Sequence, residues 1–364
     1  MSDERLLEQE GLPPIVRLVD EAAELRTRRA RLFLAVHRRA RADVLRLSEE
    51  GARRLVVRIN ELRREITDRM RDLRVAAPGA PFELRLAPQI EAEVQAALTT
   101  MISGAAGDVR TQLLAAFEAG VALVPEAFGA AGFGTSIGQG VSPALLATLD
   151  AAAADLMTET FAPLADRISR AVRLSIAGLD SSAATIEKVA EILRTSREVR
   201  AGLRRRVGLG FQAEAIARTE IGRAYSAAQQ AAAERAGDII PGLLKRWVTR
   251  ARIRGGHLAV ETETRERPIP VKQRFRVTDL SRTGFTDFLT TRTGFGAQRV
   301  YRVRPQERPV ARRGQAREDR MLFPRDPSAG PGNVVNCTCT VLEVPPGLED
   351  EIDKEIRRTG FRRI

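Results

Sequence analysis

Apolar residues recur at steps of three and four along most of the first 235 positions. The clearest run is Leu55, Ile59, Leu62, Ile66, Met70 and Leu73, with Arg and Glu on the intervening positions. Such steps gather side chains on one side of an α-helix. The spacing predicts a long amphipathic helix from Ile15 to about Leu73, or two helices broken near Ser48 to Gly51. A narrow apolar stripe must be covered, by the same chain or by another subunit. Residues 1–14 read as a flexible start that ends at Pro13-Pro14. Ala76 to Pro88, with three prolines and a glycine, reads as a linker. Ile90, Val94, Leu98, Met101, Val109, Leu113, Phe117 and Val121 predict a second helix, weakened at Gly104 and Gly107. A glycine-rich loop follows from Gly129 to Gly140. Ser142-Pro143 then supplies a cap and a first-turn proline to a third helix, which carries Leu164, Ile168, Val172 and Ile176. Asp180-Ser181 opens a fourth helix, through Ile186, Val189 and Leu193 to about Arg206. A fifth runs from Phe211 to about Arg235, with Gly237 placed to end it.

Beyond Gly237 the texture changes. Short β-prone runs appear at Leu244 to Thr249, Ile269 to Val277, Arg299 to Val303 and Thr340 to Val344, among recurring Pro and Gly. Leu348 to Arg358 reads as a terminal helix before a basic tail. The expected fold is α+β. An extended helical region covers 15–207, a small mixed α+β domain 211–345, and the terminal helix and tail 346–364.

Composition narrows this picture. Aromatics make up only 4% of the chain, which disfavours aromatic-rich sandwiches and barrels. The net charge is +12, and it is concentrated: Pro241 to Arg325 holds 21 Lys and Arg against 8 Asp and Glu. A local basic excess of that size suits an anionic partner such as nucleic acid. Arg250, Arg252, Arg302, Arg304, Arg312 and Arg313 are the candidate contacts. The first 30 residues lack the apolar core of a secretory signal. No uninterrupted 18-residue apolar run occurs, so no membrane span is expected. Two cysteines at i and i+2 are no disulfide framework and suit a reducing cytoplasm.

Three stretches resemble sites of chemistry. Gly134-Thr135-Ser136-Ile137-Gly138 fits G-x-S-x-G, with His257 downstream. That motif needs a strand before it and a helix after it in a parallel sheet, and helices are predicted on both sides here. The same loop lacks the Lys-Ser/Thr ending of a phosphate-binding loop. Glu261-Thr262-Glu263 has the E-x-E form of ADP-ribosyl transfer, but three residues are a weak signal and a solvated charge run in a loop is the stronger reading. Cys337-Thr338-Cys339 would put two thiols on one face of a strand. With His257 they make a candidate zinc site, with Asp326 or a water as the fourth group. The alternative is a pair of buried free thiols packed in a core; a disulfide across so short a ring would be strained. His37, among arginines on the first helix, reads as a surface residue.

Three blocks in order carry a resemblance to a known family. They are AEAIARTEIGRAYSAAQ at Ala213 to Gln229, KRWV with Arg-x-Arg-x-x-His at Lys245 to His257, and PRDPSAGPGNVVNCTCTV at Pro324 to Val341. Together they resemble the domain of phage Mu protein F-like head-morphogenesis proteins, the minor head proteins of tailed phages. The matching positions are Arg218, Thr219 and Glu220; Trp247, Arg254 and His257; and Pro324, Asp326, Pro327, Asn336, Cys337 and Cys339. The chain departs from the pattern at Arg250-Ala251, at Leu258-Ala259-Val260, at Thr338, and in an extra basic stretch from about Thr278 to Arg320. The resemblance implies a structural protein of the virion interior, several copies per capsid, assembled in the host cytoplasm. Implied partners are the portal, the major capsid or scaffold protein, and packaged double-stranded DNA. No catalytic residue and no cofactor are implied. The competing expectation is a toxin-like ADP-ribosyltransferase or a zinc-dependent enzyme domain.

Overall fold

The computed structural model describes residues 14–73, 79–134, 143–194, 198–199, 206–207, 209–249, 252–279, 288–294, 297–300, 317–326, 328, 337 and 339–359. The fold is α+β: long helices first, then small sheets toward the C-terminus.

Helix α1 spans Pro14–Asp72 without a break. Of the two readings, one long helix or two broken near Ser48 to Gly51, the structure has the first. The Ser48 hydroxyl donates to the Val44 carbonyl one turn back, at 2.8 Å, so it is satisfied inside the helix. Gly51 is a contact point: a Cβ there would lie 2.7 Å from the Ile221 side chain. The stripe Leu55, Ile59, Leu62, Ile66 and Met70 is fully covered by the chain itself. The opening turns of α1 remain in solvent, with Leu18, Val19 and Leu25 exposed.

Helix α2, Ala87–Ala130, passes through Gly104, Gly107 and Pro125. With the short 3-10 turn before it, α2 is long and apolar enough to cross a membrane by length and composition. Its buried face, including Leu98, Val109, Leu113 and Phe117, packs in the helical core. Helix α3 covers Pro143–Ile176. Helix α4 covers Ser182–Ile192, with the Ser181 hydroxyl accepting the Ala184 amide at 3.1 Å. The fourth helix therefore stops well short of Arg206. Leu193, at its C-cap, is fully buried. A two-stranded antiparallel pair follows, β1 at Glu198–Val199 and β2 at Arg206–Val207.

Helix α5, Leu209–Ile239, packs on α1 and α2 on one side and reaches the sheet on another. Its close approaches use small residues. At Gly120 of α2 an added Cβ would meet the Tyr225 carbonyl and lie 2.8 Å from the Ala228 Cβ. Gly237 does not end α5. It lies inside the helix, where a Cβ would fall 2.7 Å from the Val271 side chain. The glycine in the left-handed region after the helix is Gly242, at φ 79°.

The C-terminal part begins with β3, Leu244–Val248, at the centre of a three-stranded antiparallel sheet. Strand β4, Arg252–Arg254, leads directly into helix α6, Gly255–Glu266. The expected run from Ile269 to Val277 divides into β5, Ile269–Pro270, and β6, Phe275–Asp279. Pro270 lacks an N–H for a ladder and sits on the edge strand. Strands β7, Phe288–Gly294, and β8, Ala297–Val300, extend β4. Strand β9, Arg317–Met321, pairs with β6. Strand β10, Thr340–Val344, pairs with β3 so that Val341 faces Trp247 and Glu343 faces Lys245. Helix α7, Glu349–Thr359, returns to α1, where Arg31 and Glu355 pair at 3.3 Å.

Three apolar clusters result. One joins α1 to α5, so it spans the sequence division between 207 and 211. The second joins α1, α2 and α5 to β3, β10 and α7. The third lies among β3, α6, β6, β9 and the entry to β10.

Gly120→Ala should lower stability by about 1–3 kcal/mol, because α5 leaves no room for a methyl group. Gly107→Ala, where a Cβ meets nothing within 4 Å, should be neutral or stabilising by up to about 1 kcal/mol. Urea midpoints measure both; equal effects would contradict the packing of α2 on α5.

Candidate functional site

Blocks one and three meet at Arg325, and block two joins block three where His257 lies against Cys337 and Cys339. Block one lies on α5. Thr219 and Glu220 are buried, and Arg218 pairs with Glu214 one turn back at 2.6 Å. The Glu220 carboxylate accepts from Arg223 at 2.7 Å. Burial pushes its pKa up, and Arg223 and Arg325 oppose that shift. Arg325 stands at φ 68°, in the left-handed region. Its Nη1 donates to the Gly222 carbonyl at 3.0 Å and to the Ser226 hydroxyl at 3.3 Å. Arg223 Nε in turn donates to the Arg325 carbonyl at 3.2 Å. One turn of α5 thus clamps the start of block three. Pro324 is buried beside it. The Asp326 carboxylate closes the turn by accepting from the Leu322 amide at 2.8 Å and from the Ser328 amide and hydroxyl at 2.9 and 2.6 Å. Pro327 and Asn336 lie outside the described residues.

Block two supplies the apolar wall. The Trp247 ring meets His257 edge-on at 5.4 Å and Phe275 at 5.2 Å. Thr264 of α6 receives the Trp247 amide at 3.0 Å and so fixes α6 against β3. This places His257, three residues into α6, over the entry to β10. His257 Nδ1 lies 3.3 Å from Cys339 Sγ and 3.7 Å from Cys337 Sγ. All three side chains are buried, at 2%, 3% and 5% exposure for His257, Cys337 and Cys339. Their donor atoms lie within 4.8 Å of one another. Both cysteines are free. Within the pair, Cys337 is held well below the ordinary thiol range by the Cys339 hydrogen bond, with His257 and Arg325 adding to it. Burial, then the neighbouring Cys337, pushes Cys339 up. Asp326, engaged in its own turn, does not join them.

Other sequence candidates fall elsewhere. Glu261 and Glu263 lie on helix α6, not in a loop. Glu261 is buried, accepts from the Thr249 hydroxyl and pairs with Arg265 at 3.2 Å, while Glu263 is exposed. Positions i and i+2 of a helix face away from each other, so these carboxylates do not form a pair. The G-x-S-x-G serine lies outside the described residues. So do Arg250, Arg302, Arg304, Arg312 and Arg313. Arg252 and Arg254 are placed by backbone on β4.

Sequence reasoning missed a second buried polar group. Lys245 and Glu343, cross-strand neighbours on β3 and β10, are both 0% exposed. Lys245 Nζ donates to the Gln230 side chain at 3.0 Å and to the Leu322 carbonyl at 2.9 Å, and lies 4.8 Å from the centre of the Phe275 ring. Gln229 donates to Glu343 at 3.0 Å. Burial pushes Lys245 down to about 7 and Glu343 up to about 7. His37 belongs here too. It is 4% exposed, packs on Phe33, and lies 3.6 Å from the Glu343 carboxylate. The surface assignment of His37 is therefore corrected. The signal was present: Ala30, Phe33, Leu34 and His37 recur at helical spacing on the face that β10 and α5 cover.

No protein-family description, curated protein or solved structure matches this chain.

Two outcomes test this centre. Arg325→Met removes the donor to Gly222 and Ser226 and a buried counter-charge of Glu220, and should cost about 3 kcal/mol or more in urea unfolding. A loss under about 0.5 kcal/mol would match an ordinary surface site and contradict the clamp. Burial lowers the His37 pKa from 6.5 to about 3, so the unfolded chain takes that proton first. Its contribution to stability is complete above pH 6.5 and is lost as pH falls toward 3. Glu343, raised in the fold, works in the opposite direction between about 4.5 and 7. Comparing His37→Gln with the parent at each pH isolates the histidine. From pH 7 to pH 5 the parent should lose about 2 kcal/mol more than the variant. Parallel pH profiles would contradict a buried neutral His37.

Proposed function

We propose that this chain is a structural minor head protein of a tailed phage, held at the portal inside the capsid and contacting packaged double-stranded DNA. The observation that carries the reading is the convergence of the three blocks. Blocks one and two are 15 residues apart and blocks two and three 66, yet Gly222 of the first bonds Arg325 of the third, and His257 of the second lies against Cys337 and Cys339 of the third. Chance matches to three motifs have no reason to assemble into one centre.

The basic charge supports the DNA part of the reading. The excess between Pro241 and Arg325 has no equal count of acidic partners in that segment. It would face DNA through Arg250, Arg252, Arg302, Arg304, Arg312 and Arg313. The long helices offer surface for the portal, the major capsid or scaffold protein, and further copies of the chain. In this reading the protein acts by assembly in the host cytoplasm and then resides in the head.

Co-expression with the portal and major capsid proteins of its own phage should give assemblies that retain the chain through gel filtration. A chain that remains wholly soluble and unbound would overturn the reading. For DNA, affinity should fall steeply with salt. Replacing Arg302, Arg304, Arg312 and Arg313 together by Glu should lower the log–log salt slope by about 3–4, at about 0.9 for each phosphate no longer neutralised. An unchanged slope would remove these arginines from the interface.

A further inference from the structure

We propose that His257 Nδ1, Cys337 Sγ and Cys339 Sγ hold a zinc ion that ties the start of α6 to the strand entering β10. The convergence of three buried donor atoms carries the assignment. His257 Nδ1 carries either one proton or one lone pair, so it can make a single good hydrogen bond. Two sulfurs face it, at 3.3 and 3.7 Å. A thiol–imidazole hydrogen bond accounts for the first contact, and Cys337 also hydrogen-bonds Cys339, so all three groups lie against one another. A cation between the three atoms accounts for both N···S contacts. With Zn–N about 2.0 Å and Zn–S about 2.3 Å at a tetrahedral angle, the N···S edge is roughly 3.5 Å. The two observed edges bracket that length.

The surroundings agree with this assignment. Two thiolates and a neutral imidazole form a soft donor set, which selects zinc over the hard cations that carboxylates and carbonyls bind. Two thiolate charges cancel the charge of the ion, so the buried centre carries no net charge. Arg325 then remains available to Glu220 and to the carbonyl and hydroxyl of α5. Among the described residues, three donors converge, and all are closed off from solvent. The three protein donors leave the fourth tetrahedral position to a water, and their burial keeps the ion from bulk solvent. Trp247 and Phe275 form the dry wall behind it. In the loaded site both sulfurs are thiolates, and any thiol proton displaced by the ion passes to solvent. The ion would cross-link positions about 80 residues apart, in the smallest of the three apolar clusters.

The site is independent of portal or DNA binding, because metal content is read without either partner. The full chain, purified from zinc-supplemented cells without chelator, should carry about one zinc per chain by elemental analysis. Cobalt(II) added to stripped protein should give thiolate-to-cobalt charge-transfer absorption and the intense visible bands of a tetrahedral ion. Cys337→Ser with Cys339→Ser, and separately His257→Asn, should abolish both signals. If those variants fail to fold, the parent still decides the matter. Chelation should lower its melting temperature, and added zinc should restore it. A folded parent that contains no zinc, takes up neither zinc nor cobalt, and melts identically with and without chelator would overturn the proposal. So would a double-serine variant that keeps its metal.

Discussion

Burial of α5 is the constraint on which the rest of the structure depends. A helix covered on several sides cannot carry large residues everywhere, because neighbouring backbones must come within close reach. Ala213, Ala217, Ala224, Ala228, Ala232, Ala233 and Ala236 are all buried along it. Its partners answer with glycine at the contact points, Gly51 on α1 and Gly120 on α2. A small-residue interface buries modest apolar area per residue, so fit rather than bulk holds it together. Larger side chains fill the remaining space: Phe33, Phe117 and Phe128 from α1 and α2, and Leu342 from the sheet.

The same helix carries the polar groups that orient the C-terminal part. Glu220, Gly222, Arg223 and Ser226 grip the turn at Arg325. One turn on, Gln229 and Gln230 reach Glu343 and Lys245 on adjacent strands. Buried polar groups are costly when unpaired and restrictive when paired. They therefore allow few other registers of β3 and β10 against α5. Register in turn puts Trp247 beside Val341 and brings Cys339 under His257. The position of the His–Cys–Cys centre thus follows from contacts made on α5.

Much of this was legible in the sequence. Helical spacing located α1, α2, α3 and α5, and the ends of β3 and β10 agree closely with the β-prone runs. The three blocks were visible as motifs, as was the association of His257 with the cysteines. What escaped was set by tertiary packing. The E-x-E reads as part of a loop, yet Glu261 and Glu263 lie on α6, which Thr264 and Val260 hold against β3. Gly237 reads as a helix stop, but Val271 needs the space it leaves. The burial of Lys245 and Glu343 was not legible, because only the cover supplied by α5 makes these strand charges interior. His37 was hidden by the arginines around it, although its spacing with Phe33 and Leu34 placed it on the buried face.

The central claim is that α5 belongs equally to the helical core and to the C-terminal sheet, so that the three blocks form one cooperative unit. Native-state hydrogen exchange on the intact chain tests it most directly. The account predicts that amides of α5 from Ile216 to Ala236 exchange as slowly as those of α2 near Leu113, and that Trp247 and Leu342 in the sheet share that protection. Exchange of β3 and β10 through a separate, much easier opening, with α5 still protected, would contradict it.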